Sequence, residues 1–239
     1  MAYRMDPRVA QGRIAAGAMD EGLRAYLLSV FNYMGLGLAI TGLVAFVVGT
    51  TPALYVPIFS SPLKWVVMLA PLGFVFFLSA RIQAMSASAA QITFWAFAAV
   101  MGLSLASIFL AFTGESIARV FFITAATFGA TALWGYTTKR DLSGMGNFMF
   151  MGLIGIVIAG LVNIFLASSA LQFAISVIGV VIFTGLTAWD MQRLKSEYYE
   201  YGGSGEIAQK GAIMGALSLY LNFINLFMMM LQLFGSNRE

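Results

Sequence analysis

The sequence predicts an all-α membrane protein, a bundle of seven transmembrane helices. Of the 239 residues, 60% are hydrophobic and 10% are charged, whereas soluble domains average about 25% charged residues. Seven apolar runs follow one another, and most approach the roughly 20 residues needed to cross a bilayer core. The runs are Leu27–Gly49, Trp65–Ala80, Ala89–Phe112, Ile117–Tyr136, Asn147–Ala167, Leu171–Trp189 and Gly211–Phe234.

These runs divide the chain into a polar N-terminal tail (1–26), a transmembrane domain (27–234) and a short C-terminal tail (235–239). The first run is a span, because no apolar segment begins early enough for an ordinary signal peptide. The second run is short, contains Pro71 and ends against Arg81. It spans only if Arg81 snorkels to the membrane surface or lies inside the protein. A six-span arrangement with one re-entrant segment therefore stays open.

The lysines and arginines are distributed unevenly between the two predicted sides of the membrane. Such an excess marks the cytoplasmic side, so we expect a cytoplasmic N-terminus. Membrane topology explains the formal net charge of +3, and we expect the lipid bilayer, not nucleic acid, as partner. The N-terminal side holds Arg4, Arg8, Arg13, Arg24, Arg81, Lys139, Arg140, Arg193, Lys195 and Lys210, and the other side holds Lys64, Arg119 and Arg238.

The last run carries polar residues on one helical face. Two amides facing lipid would be costly, so this face should point into the bundle and the last helix should be central. Interhelical hydrogen bonding alone is an equally good explanation of the amides. A GxxxG spacing at one end permits close helix packing. The face consists of Gly211, Gly215, Ser218, Asn222, Asn225, Met229 and Gln232, at steps of four and three residues.

Two acids are candidates for a functional role. Asp190 ends the sixth run and begins the charged stretch Asp190–Lys195. It is either a surface residue that pairs with Arg193 or Lys195, or a proton-responsive element. Glu115 is expected in a loop before the fourth span, where the helix dipole stabilises an acid; an ion-attracting role is the alternative.

Several enzyme classes are excluded by composition. The chain contains no histidine and no cysteine, which removes Ser–His catalysis, HExxH metalloproteases and the usual zinc sites. An intramembrane aspartyl protease needs two acids at its site, and only Asp190 qualifies. The last run contains no lysine for a retinal Schiff base. We therefore expect neither an enzyme nor a bound cofactor.

Four segments together carry a family resemblance: Phe183–Lys195, Ala216–Phe227, Gly135–Ser143 and Leu78–Arg81. They resemble the Bax inhibitor-1 family, also called the transmembrane Bax inhibitor motif family. Phe183–Lys195 is similar to the family signature and Ala216–Phe227 to its final helix, while Gly135–Ser143 and Leu78–Arg81 resemble its bacterial members. The resemblance implies six helices around a central seventh, location in the bacterial inner membrane, and a pH-sensitive calcium leak. For some bacterial relatives it implies a membrane-bound AAA protease as partner, so a regulator of membrane proteostasis or stress responses is the alternative function.

The resemblance also implies a latch near the cytoplasmic end of the bundle. In the family, carboxylates of the sixth and seventh helices share a proton, and an arginine of the second helix competes for the first carboxylate. Asp190 matches the first carboxylate and Arg81 matches the arginine. The second carboxylate falls on Asn222, so this chain departs from the family there.

The amide at position 222 changes the expected chemistry. Two carboxylates in contact titrate as a coupled pair, whereas Asn222 can donate a hydrogen bond that favours ionised Asp190. We expect Asp190, near water at its helix end, to stay ionised at neutral pH and to be held by Asn222 or Arg81. Gating would then respond to pH more weakly, or at more acidic pH. Any permeant, calcium or protons, would cross slowly past groups such as Ser218, Asn225 and Glu115.

Overall fold

The computed structural model describes residues 7–201 and 205–238, which are helical almost throughout. Residues 1–6 of the predicted N-terminal tail and residue 239 of the C-terminal tail lie outside the described residues. A 3-10 turn, Ile82–Ala84, extends α3. The α-helices within the described residues are α1 (Pro7–Thr50), α2 (Pro52–Phe59), α3 (Leu63–Arg81), α4 (Ala87–Leu105), α5 (Ile108–Ala111), α6 (Gly114–Thr137), α7 (Ser143–Leu166), α8 (Ser169–Tyr201) and α9 (Gly205–Phe234).

The seven-span prediction is confirmed. Over the described residues, seven helical segments are long and apolar enough to cross a membrane, with α4 and α5 forming one of them. The second segment is longer than its apolar run suggested, because the helix continues past Arg81 and the segment covers Leu63–Ala84. Arg81 is exposed at the end of α3, the position from which a snorkelling side chain reaches the membrane surface.

Helix α9 lies at the centre of the bundle, as its polar face predicts. It packs against α8, α1, α6 and α4. Of the most apolar stretch of α9, 67% is buried inside the protein, against 6% for α7. The peripheral α7 packs mainly on α8, so its apolar side chains face lipid. A helix surrounded on four sides can therefore carry polar groups that lipid would not tolerate.

Helices α7 and α8 form a tight antiparallel hairpin, as their short link predicts. Ala167 adopts a left-handed conformation (φ 47°), and its N–H donates to the Asn163 carbonyl at 2.8 Å. The Asn163 side chain accepts from the Ser168 N–H at 3.0 Å and donates to Gln172 Oε1 at 3.2 Å. Asn163 thus terminates α7 and joins it to α8.

The C-terminal segment after α9 packs against the loop between α5 and α6. The Thr113 N–H donates to the Ser236 carbonyl at 3.0 Å, and the Arg238 N–H donates to the Ala111 carbonyl at 2.9 Å. The Arg238 guanidinium also donates to the Phe109 carbonyl at 2.7 Å. These bonds fix the C-terminal end of α9.

Candidate gating site

Asp190 is buried within α8. Its exposed fraction is 3%, and α8 continues for about three turns beyond it, to Tyr201. The expectation that Asp190 lies near water at a helix end is therefore wrong. The charged stretch after the apolar run continues the helix and packs against α9, so the end of the run does not coincide with the end of the helix.

The carboxylate of Asp190 binds two side chains of the central helix. Its Oδ2 atom accepts from Asn222 Nδ2 at 2.7 Å and from Ser218 Oγ at 2.7 Å. Asn222 and Ser218 are four residues apart and so lie on the same face of α9. The predicted partnership of Asp190 with Asn222 is thus present as a hydrogen bond, and Ser218 belongs to the same site.

The cation beside Asp190 comes from the same helix. Arg193 Nη2 lies 2.7 Å from Asp190 Oδ1, three residues further along α8. The orientation does not meet hydrogen-bond geometry, and within the described residues Oδ1 accepts no hydrogen bond. Arg193 Nη2 also donates to Ser218 Oγ at 3.2 Å. The guanidinium therefore contacts both the acid and one of its α9 partners.

Arg193 is positioned by further contacts along α8. Its guanidinium lies 5.0 Å from the centroid of the Trp189 ring, a cation–π distance. Its Nε atom lies 3.5 Å from Glu197 Oε1. The Arg193 side chain is 36% exposed, so the group spans from buried Asp190 to the surface of the bundle.

Arg81 takes no part in this arrangement. Within the described residues it forms no ion pair with a carboxylate, and its side chain is exposed at the end of α3. The sequence suggested Arg81 or Asn222 as the group that holds Asp190; the structure brings Asn222 to it, and Arg193 supplies the cation. The i, i+3 spacing of Asp190 and Arg193 was the available signal, but it was read as a surface pair.

A cavity of about 320 Å³ lies beside the site, between α3, α8 and α9. Arg193 and Ser218, both partners of Asp190, line it, and Val75 and Ser79 of α3 form another wall. Glu197 is the carboxylate among the lining residues. Two groups that contact Asp190 therefore line the cavity, but Asp190 itself does not.

A glycine allows α9 to approach α8 closely near the site. A Cβ atom added at Gly215 would lie 2.5 Å from Leu194 Cδ2. Leu194 is 1% exposed and so has little room to move. The close approach predicted from the GxxxG spacing is confirmed at Gly215, one turn before Ser218.

Beyond Asn222, aromatic rings pack between α9 and α6, and among them Phe121 is partly exposed. Phe223 of α9 lies 5.5 Å, between ring centroids, from Phe121 and from Phe128 of α6. Phe227, one turn further along α9, lies 6.2 Å from Phe121. Along α9, these rings separate the polar site at Asp190 from the polar groups at the opposite end.

The remaining candidates, Asn225 and Glu115, lie away from Asp190. Asn225 Nδ2 donates to the Leu221 carbonyl of its own helix at 2.8 Å. Glu115 is exposed in the first turn of α6, one residue after Gly114 and two after the N-cap Thr113. This position is the one expected for an acid stabilised by the helix dipole. Within the described residues, neither residue contacts Asp190.

A pair of buried hydroxyls near the site was missed by sequence reasoning. Thr41 Oγ1 donates to the Ala98 carbonyl at 2.8 Å and lies 2.6 Å from Tyr220 Oη. Tyr220 is completely buried on α9. A threonine within an apolar run and a tyrosine two residues after Ser218 carry no pattern that would pair them.

Comparison with known proteins identifies the family. A family model described as "Inhibitor of apoptosis-promoting Bax1" matches residues 23–239, which include α9, Asp190 and the side chains that contact it. The chain belongs to the Bax inhibitor-1 family. The resemblance noted from the sequence segments is thereby confirmed.

The family relatives are bacterial proteins of nearly the same length. An uncharacterized protein of Rickettsia prowazekii is 48% identical over 220 residues, which cover 92% of this chain and 93% of that protein. Inner membrane protein YbhL of Escherichia coli is 46% identical over 220 residues, 91% of this chain and 94% of its own. An uncharacterized protein of Caulobacter vibrioides is 44% identical over 231 residues. As a Bax inhibitor-1 family member, the chain is a multi-pass membrane protein.

Proposed function

We propose that this protein is a slow, pH-sensitive leak for calcium or protons across the bacterial inner membrane, with a pH response altered by Asn222. One observation carries the proposal: a buried carboxylate, Asp190, joins α8 to the central α9 through Asn222 and Ser218. A helix at the centre of a bundle can open a path only if it moves. The group that ties it to a neighbour therefore controls the opening.

The donors around Asp190 suit the ionised carboxylate. The amide nitrogen of Asn222 and the guanidinium of Arg193 can only donate, and both face the acid. Protonation of Asp190 would weaken these contacts and release α9. In contrast to a pair of carboxylates, Asp190 forms no hydrogen bond with a second acid among the described residues, so release should require more acidic conditions. This supports the expected shift of gating.

Packing between α6 and α9 supports a closed state. The rings of Phe128, Phe223 and Phe227 are buried there, and Phe121 contacts Phe223 and Phe227 from the surface. The cavity beside Arg193 gives one polar entrance on the side of Asp190. An ion would pass only when α9 shifts these rings, which is consistent with a slow leak.

The oxygen ligands that the protein offers predict weak selectivity among cations. Calcium prefers six to eight oxygen ligands, often from several carboxylates. Within the described residues, no group of three or more Asp and Glu side chains could hold a metal ion. Conduction would instead use amides, hydroxyls, carbonyl groups and water, together with Asp190.

Flux through the purified protein tests the proposal. The protein and two variants, Asn222→Asp and Asp190→Ala, would be reconstituted in liposomes that contain a calcium or pH indicator, and flux would be followed across a pH series. We expect a response at more acidic pH than that of Asn222→Asp, and loss of the response in Asp190→Ala. Glu200→Gln, which removes an exposed carboxylate of α8, is the charge-matched control and should behave like the unmodified protein.

Two outcomes would contradict the proposal. Flux no greater than that of empty liposomes at every pH, in all variants, would exclude a leak. A response as steep near neutrality as that of Asn222→Asp would show that the amide does not alter gating. The first outcome removes the function, and the second removes only the assigned role of Asn222.

A further inference from the structure

We propose that a basic pocket at the end of the bundle that carries Asp190 binds the headgroup of an anionic phospholipid. The basic pocket is formed by Lys139 and Arg140 of the α6–α7 loop and by Lys195 of α8, together with Tyr136, Asp141 and Gln192. Its volume is about 350 Å³. It shares no lining residue with the cavity beside Asp190, so it is a separate site.

The three cations of the basic pocket lack carboxylate partners. Within the described residues, Lys139, Arg140 and Lys195 form no ion pair shorter than 4.0 Å. Lys195 Nζ instead lies 5.1 Å from the centroid of the Tyr136 ring. Cations held together without counter-ions attract an anion, and phosphate is the anion that lysine and arginine bind together in proteins.

Asp141 is the one acid among the lining residues. A hydrogen bond from the Ser143 N–H to Asp141 Oδ1, 2.9 Å long, lowers the pKa of Asp141 below its usual value. The carboxyl is therefore ionised at neutral pH. Three cations and one anion leave a net charge of +2, so the basic pocket still favours a negatively charged headgroup over a zwitterionic one.

The wall of the basic pocket is fixed to α8 by one side chain. Gln192 Nε2 donates to the Arg140 carbonyl at 2.8 Å, and Gln192 Oε1 accepts from the Leu142 N–H at 2.8 Å. The loop backbone between α6 and α7 is thus held against α8. Arg140 of the loop and Lys195 of α8 are therefore held at the same pocket. Cations scattered over a protein surface are not held together in this way.

The position of the basic pocket indicates a lipid as the source of the phosphate. It lies where two membrane-spanning segments end, because α6 ends at Thr137 and α7 begins at Ser143. The apolar surface starts at once on both helices: Trp134 is 46% exposed and Phe148 is 69% exposed. A headgroup in the basic pocket would therefore have its acyl chains beside lipid-facing side chains. Basic pockets of this kind between transmembrane helices are known to hold anionic headgroups.

Binding of defined lipids to the full-length protein tests the proposal. The protein in neutral detergent would be titrated with phosphatidylglycerol, phosphatidylcholine or inorganic phosphate, and the shift of the unfolding temperature and the lipids retained in native mass spectrometry would be measured. We expect a saturable shift with phosphatidylglycerol and little with phosphatidylcholine or inorganic phosphate. Equal shifts with both lipids, or a full shift with inorganic phosphate, would overturn the proposal.

Charge-matched variants separate the basic pocket from general surface charge. Lys139→Gln, Arg140→Gln and Lys195→Gln together should weaken phosphatidylglycerol binding on the order of a hundredfold, at about fivefold per cation. The control removes three other cations, by Arg24→Gln, Arg81→Gln and Lys210→Gln, and should leave the titration midpoint within about twofold of the unmodified protein. Equal weakening in both variants would show diffuse attraction and overturn the proposal.

A single substitution, Asp141→Asn, is expected to have the opposite effect on phosphatidylglycerol affinity. Asp141→Asn keeps an Oδ1 acceptor for the Ser143 N–H but removes the negative charge. It should tighten phosphatidylglycerol binding, by about fivefold. Because this variant preserves the loop, it remains informative if the triple variant fails to fold. Unchanged or weaker binding in Asp141→Asn would contradict the electrostatic basis of the site.

Discussion

Asn222 donates a hydrogen bond to Asp190 across 2.7 Å and joins the central helix α9 to α8. Both side chains are buried, with exposed fractions of 7% and 3%. The family resemblance implies a second carboxylate at position 222. This chain has an amide there, and the amide nitrogen can only donate hydrogen bonds. The contact is therefore a hydrogen bond to a carboxylate and not a proton shared between two acids.

Loss of this hydrogen bond should destabilise the bundle. Asn222→Leu removes a donor to a buried acid, and we expect the free energy of unfolding to fall by about 1 to 2 kcal/mol, the upper range for bonds between membrane helices. Unfolding in mixed micelles, followed by circular dichroism, measures the change.

Asn225→Leu is the matched control for Asn222→Leu. Asn225 also carries an amide on α9, but among the described residues its side chain bonds only to the Leu221 carbonyl of its own helix. Its replacement should change the unfolding free energy by less than about 0.5 kcal/mol. A loss as large as that of Asn222→Leu would show that amides on α9 stabilise the bundle without the bond to Asp190.

Asp190 and Arg193 should be energetically coupled. A double-mutant cycle with Asp190→Asn and Arg193→Gln should give a coupling free energy of about 1 kcal/mol; solvent screens Arg193, whose side chain is 36% exposed. The control cycle pairs Arg193→Gln with Glu197→Gln, since Glu197 is 41% exposed and 3.5 Å from Arg193. That pair should couple by less than about 0.3 kcal/mol. Equal coupling free energies in the two cycles would mean that burial of Asp190 does not strengthen its interaction with Arg193.

Gly215→Ala should separate α8 and α9. The added methyl group would meet Leu194 at 2.5 Å, and overpacking of a buried contact costs about 1 to 3 kcal/mol. Gly155→Ala on α7 is the control, because a Cβ atom there meets no other atom within 4 Å. Thermal unfolding of both variants checks the prediction, which fails if the two substitutions have the same effect.

The fold was predictable from the sequence because hydrophobicity and polar spacing report directly on lipid exposure. The seven apolar runs located the spans, and the four-and-three spacing from Gly211 to Gln232 placed α9 at the centre of the bundle. Helix ends were less predictable. The apolar run that stops at Trp189 gave no sign that α8 continues to Tyr201, because a helix can leave the membrane without a break in its hydrogen bonding.

The site was predictable only in part. Asp190 and Asn222 were identified through a motif, and they are in contact. The cation could not be chosen from sequence, because Arg81 and Arg193 both lie near the predicted membrane boundary and only packing decides which one reaches the acid. The Thr41–Tyr220 contact joins residues 179 positions apart, and neither residue belongs to a recognisable pattern.

The Thr41–Tyr220 contact should restrain the same helix as Asp190, but without dependence on pH. Tyr220 lies on α9 between Ser218 and Asn222, and Thr41 ties it to α1 and, through the Ala98 carbonyl, to α4. Thr41→Val removes both bonds. We expect a loss of about 1 kcal/mol in the unfolding free energy and faster flux in proteoliposomes at every pH, with an unchanged midpoint of the pH response.

The control is Thr127→Val, since the Thr127 hydroxyl, within the part of the chain that the structure describes, bonds only to the Ile123 carbonyl of its own helix. It should alter neither stability nor flux. A midpoint shifted by Thr41→Val would mean that the two contacts act as one unit. Unchanged flux, with the stability loss present, would mean that α9 keeps its contact with α1 during opening. In that case the moving part is α8, and the hydrogen bond between Asp190 and Asn222 is the contact that must break.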